Sequence, residues 1–477
     1  MTGGRKIITN TLLLSVVSIV NTFVSIFTTS IIAKSIGPEL YGRYTFGLSY
    51  ILFFSVLSNL GIESLFIREA ARDEKNIDLI KDILPFKVLL SALNIAVIIL
   101  SVHLLHYPVE TIQVIYVLCI GLFFQVLYES LLSVYRSLEK MYVIGLASLA
   151  FRLFTALIIV FAVYSGIGFW GIVSAFSIGN AFIFLGLLLF SYRSLGISGV
   201  RFKAQTWLRL IKQGFPFYAS ALLTMVYSRI GILMLSKMTS ELEVGLYMAA
   251  VTLVEGLYFI PAAFTSSIFP AFSRMHGGSG DTFQSTYEKT TKFLIILTAG
   301  ISVGTILVSE KVIFLIFGPE FIRSAEVLNI FIFFWVFSFF SQMQSTILFS
   351  IRKEAAQVKI MAFACLVNIS LNIILIKNYG IIGAAYSSVI TEAVVVVVIN
   401  AVLWKLDVKY RPDPHIFRLV FSVAAMIVMV NFLLDINLFA AILGGAAFYP
   451  VLLFLFGVFD SEDKLYIRSL IKKRAPI

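Results

Sequence analysis

The sequence predicts an all-α polytopic membrane protein with about fourteen transmembrane helices. Of its 477 residues, 59% are hydrophobic and only 13% are charged, whereas soluble proteins carry about 25% charged residues. The mean hydropathy is +0.97. Apolar stretches of about 20 residues recur along the chain, and each is long enough to cross a bilayer as a helix.

The apolar stretches give the helices in order. The first covers residues 8–36 and is longer than the apolar region of a signal peptide, which has about 7–15 residues, so we expect it to be retained as helix one. The predicted helix centres lie near residues 22, 55, 95, 122, 153, 180, 222, 257, 302, 338, 366, 391, 425 and 447. The two cysteines, Cys119 and Cys365, both fall in apolar stretches and predict neither a zinc site nor a disulfide.

The lysines and arginines predict the orientation of the helices. Alternate segments, starting with the N-terminal one, hold 29 of the 37 Lys and Arg residues, the other loops hold six, and two lie inside predicted helices. Because basic residues accumulate on the cytoplasmic side, we expect both termini to be cytoplasmic and the protein to lie in the plasma or inner membrane. The net charge of +11 is thus mainly a sign of topology. No loop is long enough to form a basic soluble surface, so nucleic-acid binding is not expected.

An internal repeat is visible in the chain. The stretch GPELYGRYTFGLSY (37–50) follows helix one, and SELEVGLYMAAVTL (240–253) follows helix seven. The alignment of the two stretches pairs Gly42 with Gly245. Helices one and two therefore correspond to helices seven and eight.

A second match extends the repeat. GFWG (168–171) opens helix six, and GIIG (380–383) opens helix twelve. Equivalent positions are six helices apart, an even number, so the two six-helix copies are parallel. We predict an N-lobe (1–205), a C-lobe (206–406), and a last segment with helices thirteen and fourteen and a cytoplasmic tail (407–477). Transporters with such repeats bind substrate in a central cavity between the lobes.

Two arginines lie near the middle of predicted helices, Arg152 in helix five and Arg229 in helix seven. A charged residue at this depth is costly and generally faces a cavity or a partner. Because the planar guanidinium suits phosphate, both arginines are candidates for binding an anionic head group. The alternative is an ion pair with a buried acid, and Glu255 in helix eight and Glu392 in helix twelve are placed to provide one.

The same two glutamates, Glu255 and Glu392, are candidates for coupling transport to H⁺ or Na⁺. Their charge depends on burial and on nearby arginines, which the sequence does not fix. Glu255 is also a candidate for substrate contact, as are Asn59 and Glu63, one turn apart near the cytoplasmic end of helix two. Loop contacts would explain Glu63 as well. The chain shows no pattern that predicts a metal site.

Several stretches resemble one family. IIAKSIGPELYGRYTFGLSYILFFSVLSNLGIESLFIREAA (31–71) looks like the N-terminal signature of the polysaccharide-biosynthesis membrane proteins. These are the Wzx-type oligosaccharide flippases of the multidrug/oligosaccharidyl-lipid/polysaccharide (MOP) exporter superfamily. The stretches 244–275, 317–331 and 379–392 are also similar to that family.

The resemblance implies a transporter rather than an enzyme, with no cofactor. It implies that a polyprenyl-(di)phosphate-linked oligosaccharide moves from the cytoplasmic to the outer leaflet by alternating access of two lobes, for cell-surface polysaccharide assembly. The implied partners are this lipid-linked glycan and membrane lipids, with a polysaccharide polymerase or glycosyltransferases as further candidates.

Three other functions stay open: a cation-coupled drug or metabolite exporter of the same superfamily, a lipid II flippase, and a membrane-embedded glycosyltransferase or polymerase. Two buried arginines disfavour binding of cationic drugs. The short outer loops lack the paired acidic residues that a membrane-embedded glycosyltransferase or polymerase needs. No Gly-x-x-x-x-Gly-Lys-Ser/Thr loop for ATP occurs, whereas the membrane potential supplies about 2.3 kcal/mol per charge per 100 mV.

Overall fold

The structure is a computed structural model that describes residues 3–196, 199–275, 280–460 and 463. These residues form helices and turns, with no β-strand among them. The α-helices, numbered in chain order, are α1 (Gly3–Asn59), α2 (Ile62–Arg72), α3 (Ile80–Leu104), α4 (Val109–Ser137), α5 (Met141–Tyr164), α6 (Phe169–Leu195), α7 (Ala204–Met238), α8 (Glu241–Glu255), α9 (Phe259–Met275), α10 (Gly280–Phe317), α11 (Ser324–Ser350), α12 (Glu354–Trp404), α13 (Leu419–Leu434) and α14 (Leu438–Leu455). Short 3₁₀ helices cover Glu74–Leu79, Pro319–Phe321 and Pro414–Arg418.

Twelve helical stretches in the described part of the chain are long and apolar enough to cross a membrane. Two of them, in α1 and α12, contain a glycine with non-helical backbone angles: Gly37 (φ 71°, ψ 174°) and Gly380 (φ 56°, ψ −131°). Glycine adopts a positive φ without steric cost, and Pro38 can start a helix because its missing N–H needs no partner there. Each of the two stretches thus holds two helices, and the all-helical polytopic fold class is confirmed.

The helix α2 is too short to span a membrane. It has 11 residues and is amphipathic. Its buried residue Phe66 belongs to a core with Phe86 of α3 and Leu210 of α7. Phe86 in turn stacks on Trp207, with ring centroids 4.9 Å apart. This core fixes α2 and α3 beside the start of α7.

The contacts divide the chain into two compact units. The first comprises Met1–Phe259, Ile316–Phe321 and Met361–Ser387, and the second comprises Ile260–Leu315, Ile322–Ile360 and Ser388–Ile477. The predicted lobe boundaries after residues 205 and 406 stay a prediction. Most of the predicted cytoplasmic tail beyond Asp460 lies outside the described residues, with Asp463 as the exception.

Each unit has its own side-chain core. In the first, α4, α5 and α6 pack around Leu131, Tyr135 and Ile183. In the second, α10, α13 and α14 pack around Met426 and Tyr449. Since lipid is as apolar as these side chains, close packing rather than removal from water holds the membrane helices together.

Candidate functional site

A cavity of about 430 Å³ lies in the first unit between α1, α5 and α8. Two charged side chains, Arg152 and Glu255, line it. The rest of the lining is formed by polar Ser18, Asn21, Thr22, Ser25, Ser148 and Thr252, and by apolar Leu14, Val17, Ile26, Ile144, Gly145 and Gly256. Because the wall offers many hydroxyl groups and a guanidinium, it suits a polar ligand with an anionic part.

Arg152 brings a positive charge to the cavity from the middle of α5. Its charge interacts with the phenol groups of Tyr44 and Tyr128. Among the described residues, no carboxylate lies within salt-bridge distance of its guanidinium. A charge inside a membrane helix is costly unless it meets a partner, so Arg152 attracts an anion that enters the cavity.

Arg229 of α7 has an acidic partner. Its Nη1 lies 3.8 Å from Oε1 of Glu255, and the two side chains are 26% and 46% exposed. This separation is too long for a good hydrogen bond, so the two side chains are held together by their charges alone. Because both side chains are partly exposed, a ligand group can approach either of them. Of the two arrangements that the sequence left open for Arg229, pairing with Glu255 is present, whereas its contact with substrate stays a prediction.

The carboxylate of Glu255 is placed by a break in the helix. α8 ends at Glu255 and α9 begins at Phe259, although both belong to one candidate span, Glu241–Met275. The backbone N–H of Tyr258 donates to the carbonyl of Glu255 (3.1 Å) and closes the turn. A helix C-terminus carries partial negative charge, which Arg229 offsets. Interrupted helices commonly form transporter binding sites.

Sequence reasoning missed this break and the polar wall of the cavity. Gly256 in an apolar stretch, with Pro261 five residues later, is the signal for the break. On α1 the polar residues Ser18, Asn21, Thr22 and Ser25 recur at helical spacing, which marks one polar face of an otherwise apolar helix. That face is the one that lines the cavity.

Asn21 joins two walls of the cavity. Its Nδ2 donates to the Ser148 hydroxyl on α5 (2.7 Å). Its Oδ1 is buried and has no hydrogen-bond partner among the described residues. Thr252 of α8 is 3.4 Å from the hydroxyl of Tyr41. A free acceptor beside hydroxyl groups provides hydrogen-bonding capacity for a ligand that carries donors, such as a sugar.

Asn59 and Glu63 lie apart from the lining of the cavity. The Nζ of Lys87 donates to Oδ1 of Asn59 and to Oε1 of Glu63, both at 3.1 Å. Lys87 is one of the 29 basic residues in the segments that the charge pattern assigns to the cytoplasmic side, but in α3 its side chain is fully buried. This network gives Asn59 and Glu63 a structural partner, and a role for them in substrate binding stays a prediction.

Glu392 belongs to the second unit. It lies in α12, is 4% exposed, and accepts a hydrogen bond from the hydroxyl of Ser341 on α11. A buried carboxyl group with a hydroxyl partner has the chemistry to take up a proton or a cation. Its role in ion coupling stays a prediction.

The model of the family described as polysaccharide biosynthesis protein matches residues 31–326. This range contains Arg152, Arg229 and Glu255. None of the curated protein sequences matches the chain.

Solved structures share the fold. The lipid II flippase MurJ in an inward closed conformation has a TM-score of 0.76 and 16% identity, covering 96% of this chain and 100% of that one. An inward-facing multidrug resistance MATE family transporter of the MOP superfamily has a TM-score of 0.64 and 14% identity, covering 82% and 99%. A MOP superfamily transporter from Pyrococcus furiosus, described by a binding pocket of reverse polarity, has a TM-score of 0.59 and 16% identity, covering 84% and 95%.

Proposed function

This chain belongs to the polysaccharide biosynthesis protein family and has the fold of the MOP superfamily transporters, and we propose that it is a flippase for polyprenyl-(di)phosphate-linked oligosaccharide. It moves this lipid from the cytoplasmic to the outer leaflet. The observation that carries the proposal is Arg152, which lies in a cavity lined by hydroxyl groups and has no carboxylate within salt-bridge distance among the described residues.

The cavity supplies the contacts that such a head group needs. The guanidinium of Arg152 binds phosphate oxygens through its fork of donors. Asn21, Ser148 and Thr252 offer donors and acceptors to the sugar next to the phosphate. The polyprenyl chain stays in the bilayer, so only the polar part of the lipid has to be enclosed.

Transport proceeds by alternating access of the N-lobe (1–205) and the C-lobe (206–406), in a cell membrane with both termini in the cytoplasm. The protein is a transporter and catalyses no covalent step. Its product is available to a polysaccharide polymerase or to glycosyltransferases at the outer surface.

Two energy sources are open to this mechanism. A head group that carries net negative charge is driven outward by an inside-negative potential, at about 2.3 kcal/mol per charge per 100 mV. Glu255 and Glu392 are the candidates for exchange of H⁺ or Na⁺, because each is a carboxylate within a membrane helix.

The alternatives differ in the ligand. A cation exporter of the same superfamily needs a cavity that attracts positive charge, and Arg152 repels it. A lipid II flippase needs the same phosphate chemistry as the proposed function, so the two differ only in the sugar and peptide part. The test therefore has to vary the ligand on one preparation of protein.

We would reconstitute the wild type in liposomes and measure translocation by protection of a fluorescent sugar from a membrane-impermeant quencher. The probes are polyprenyl phosphate and diphosphate sugars, lipid II, an uncharged polyprenyl glycoside and an organic cation. We expect transport of phosphate-linked sugars and none of the glycoside or the cation. Transport of the organic cation alone would establish the exporter, and transport of lipid II alone would establish that flippase.

A further inference from the structure

Among the residues that the structure describes, the charged groups at the cavity add up to one positive charge. The cavity lining described above contains Arg152 and Glu255 as its charged residues, and Arg229 lies 3.8 Å from Glu255. Arg229 and Glu255 cancel each other. Arg152 is therefore the cation whose charge is not compensated by any of these described groups.

We propose that Glu255 sets the charge of the substrate, and that the preferred lipid carries its sugar through one phosphate, as a phosphodiester. This inference rests on the proposed function and narrows its substrate class. A phosphodiester has one negative charge and neutralises Arg152. A diphosphate diester has two, which leaves one negative charge uncompensated beside the Glu255 carboxylate.

The geometry explains why Glu255 acts as a selector. Glu255 ends α8 where the helix breaks, its side chain is about half exposed, and it lines the same cavity as Arg152. Glu255 lines the cavity whereas Arg229 is not among the lining residues, so a second phosphate in the cavity is close to the Glu255 carboxylate. Like charges at such short range repel, and this repulsion is a common way to reject a wrong ligand.

A neutral residue in place of Glu255 should change the selectivity between monophosphate and diphosphate lipids. In Glu255→Gln, Arg229 loses its counter-ion and the site gains one positive charge while the size of the side chain is kept. Two guanidinium groups are then available, which matches the two charges of a diphosphate. In Glu255→Asp the charge is kept, so the preference of the wild type should be kept as well.

The test uses two lipids that share the same sugar and the same polyprenyl chain and differ in one phosphate. Initial rates are measured in proteoliposomes for the wild type, Glu255→Gln and Glu255→Asp, without a membrane potential, so that the extra charge gains nothing from the voltage. We expect the wild type to prefer the monophosphate lipid. We expect the ratio of the two rates to shift towards the diphosphate lipid by roughly tenfold in Glu255→Gln, the order expected when one nearby unit charge is removed.

The outcomes separate this inference from the proposed function. If the wild type moves the diphosphate lipid as fast as the monophosphate lipid or faster, the charge selection is wrong while the flippase stands. If neither lipid moves, both are wrong. If Glu255→Gln is too unstable to assay, the wild-type preference and that of Glu255→Asp still decide the question. A uniform loss of rate in Glu255→Gln, with the ratio unchanged, would mean that Glu255 only stabilises the fold.

Discussion

Gly42 and Gly245, which occupy equivalent positions in the internal repeat, lie against each other where α1 crosses α8. A Cβ atom added to Gly42 would lie 1.9 Å from the carbonyl oxygen of Glu241 and 2.7 Å from the nitrogen of Gly245. A Cβ added to Gly245 would lie 1.9 Å from the carbonyl oxygen of Pro38. The two helices thus touch through their backbones, and the ion pair of Arg43 with Glu241 (2.7 Å) flanks the crossing.

This contact predicts a stability defect in Gly42→Ala. The atoms that a new methyl group meets belong to backbone and cannot rotate away, so the helices have to separate. We expect the free energy of unfolding to fall by about 1–3 kcal/mol, the usual cost of overpacking. Thermal unfolding in detergent measures it. The matched control is Gly186→Ala in α6, where the new Cβ has no neighbour within 4 Å. Equal effects of the two substitutions would contradict the backbone contact.

The buried network of Lys87 predicts a larger defect. In Lys87→Met, Glu63 and Asn59 lose the ammonium group that they share, and an unpaired buried charge costs about 3–5 kcal/mol. The double variant Lys87→Met/Glu63→Gln removes both charges and should recover much of this loss. Unfolding of the single and double variants measures the coupling. Lys212→Met, at an exposed position of α7, serves as the control. A double variant no more stable than Lys87→Met would argue against the pair.

A cluster in the second unit predicts a response to acid. Asp413 accepts hydrogen bonds from Lys292 and from the backbone and ring nitrogens of His415. Burial by itself would raise the pKa of Asp413, but these bonds outweigh it and lower the pKa to about 2 from its ordinary 3.8. Since the pKa is lower in the folded state, this stabilisation is present above about pH 4 and is lost as the pH falls towards 2.

The matching variant is Asp413→Asn. At neutral pH it should be less stable than the wild type by up to about 2 kcal/mol, and it should lose less stability on acidification. Unfolding temperatures at a series of pH values test this. Asp407→Asn, whose side chain is 92% exposed, should follow the wild-type pH dependence. An acid response of Asp413→Asn that equals that of the wild type would contradict the role of this carboxylate.

The ion pair of Arg229 with Glu255 predicts that a second substitution restores transport in an Arg229 variant. In Arg229→Gln, Glu255 is left without its partner and cancels the charge of Arg152, so transport of a phosphate-linked sugar should fall. In the double variant Arg229→Gln/Glu255→Gln, the single charge of Arg152 is restored, and the rate for a monophosphate lipid should recover. The measurement is the initial rate in proteoliposomes at equal protein insertion. If the double variant transports no better than Arg229→Gln, the charge balance does not govern binding.

Features that depend on local sequence were predictable. The all-helical class follows from the length and spacing of apolar stretches, and Gly37, Gly168 and Gly380 mark helix starts because each has a positive φ that favours glycine. Arg152 lies at the middle of α5, as its place in the apolar stretch predicts, whereas Arg229 lies in the last third of α7 because that helix begins earlier, at Ala204, than predicted.

Features that depend on the rotation of the helices relative to one another were not predictable from the sequence. The sequence offered Glu255 and Glu392 equally as partners for Arg229, and only packing selects Glu255. The ion pair of Lys87 with Glu63 and the hydrogen bond of Asn21 with Ser148 likewise connect residues that are far apart in sequence. Side-chain contacts between helices require their relative rotation and depth, which hydropathy and charge do not specify.

The proposed function depends on the binding of the phosphate of a lipid-linked sugar by Arg152. The most direct measurement compares initial translocation rates of a fluorescent polyprenyl phosphate sugar by the wild type, Arg152→Ala and Arg193→Ala in the same liposomes. Arg193 lies exposed in the last turn of α6 and controls for loss of an arginine. We predict that Arg152→Ala folds and inserts but transports at least about tenfold more slowly, while Arg193→Ala matches the wild type. Normal transport by Arg152→Ala would show that Arg152 does not bind the phosphate.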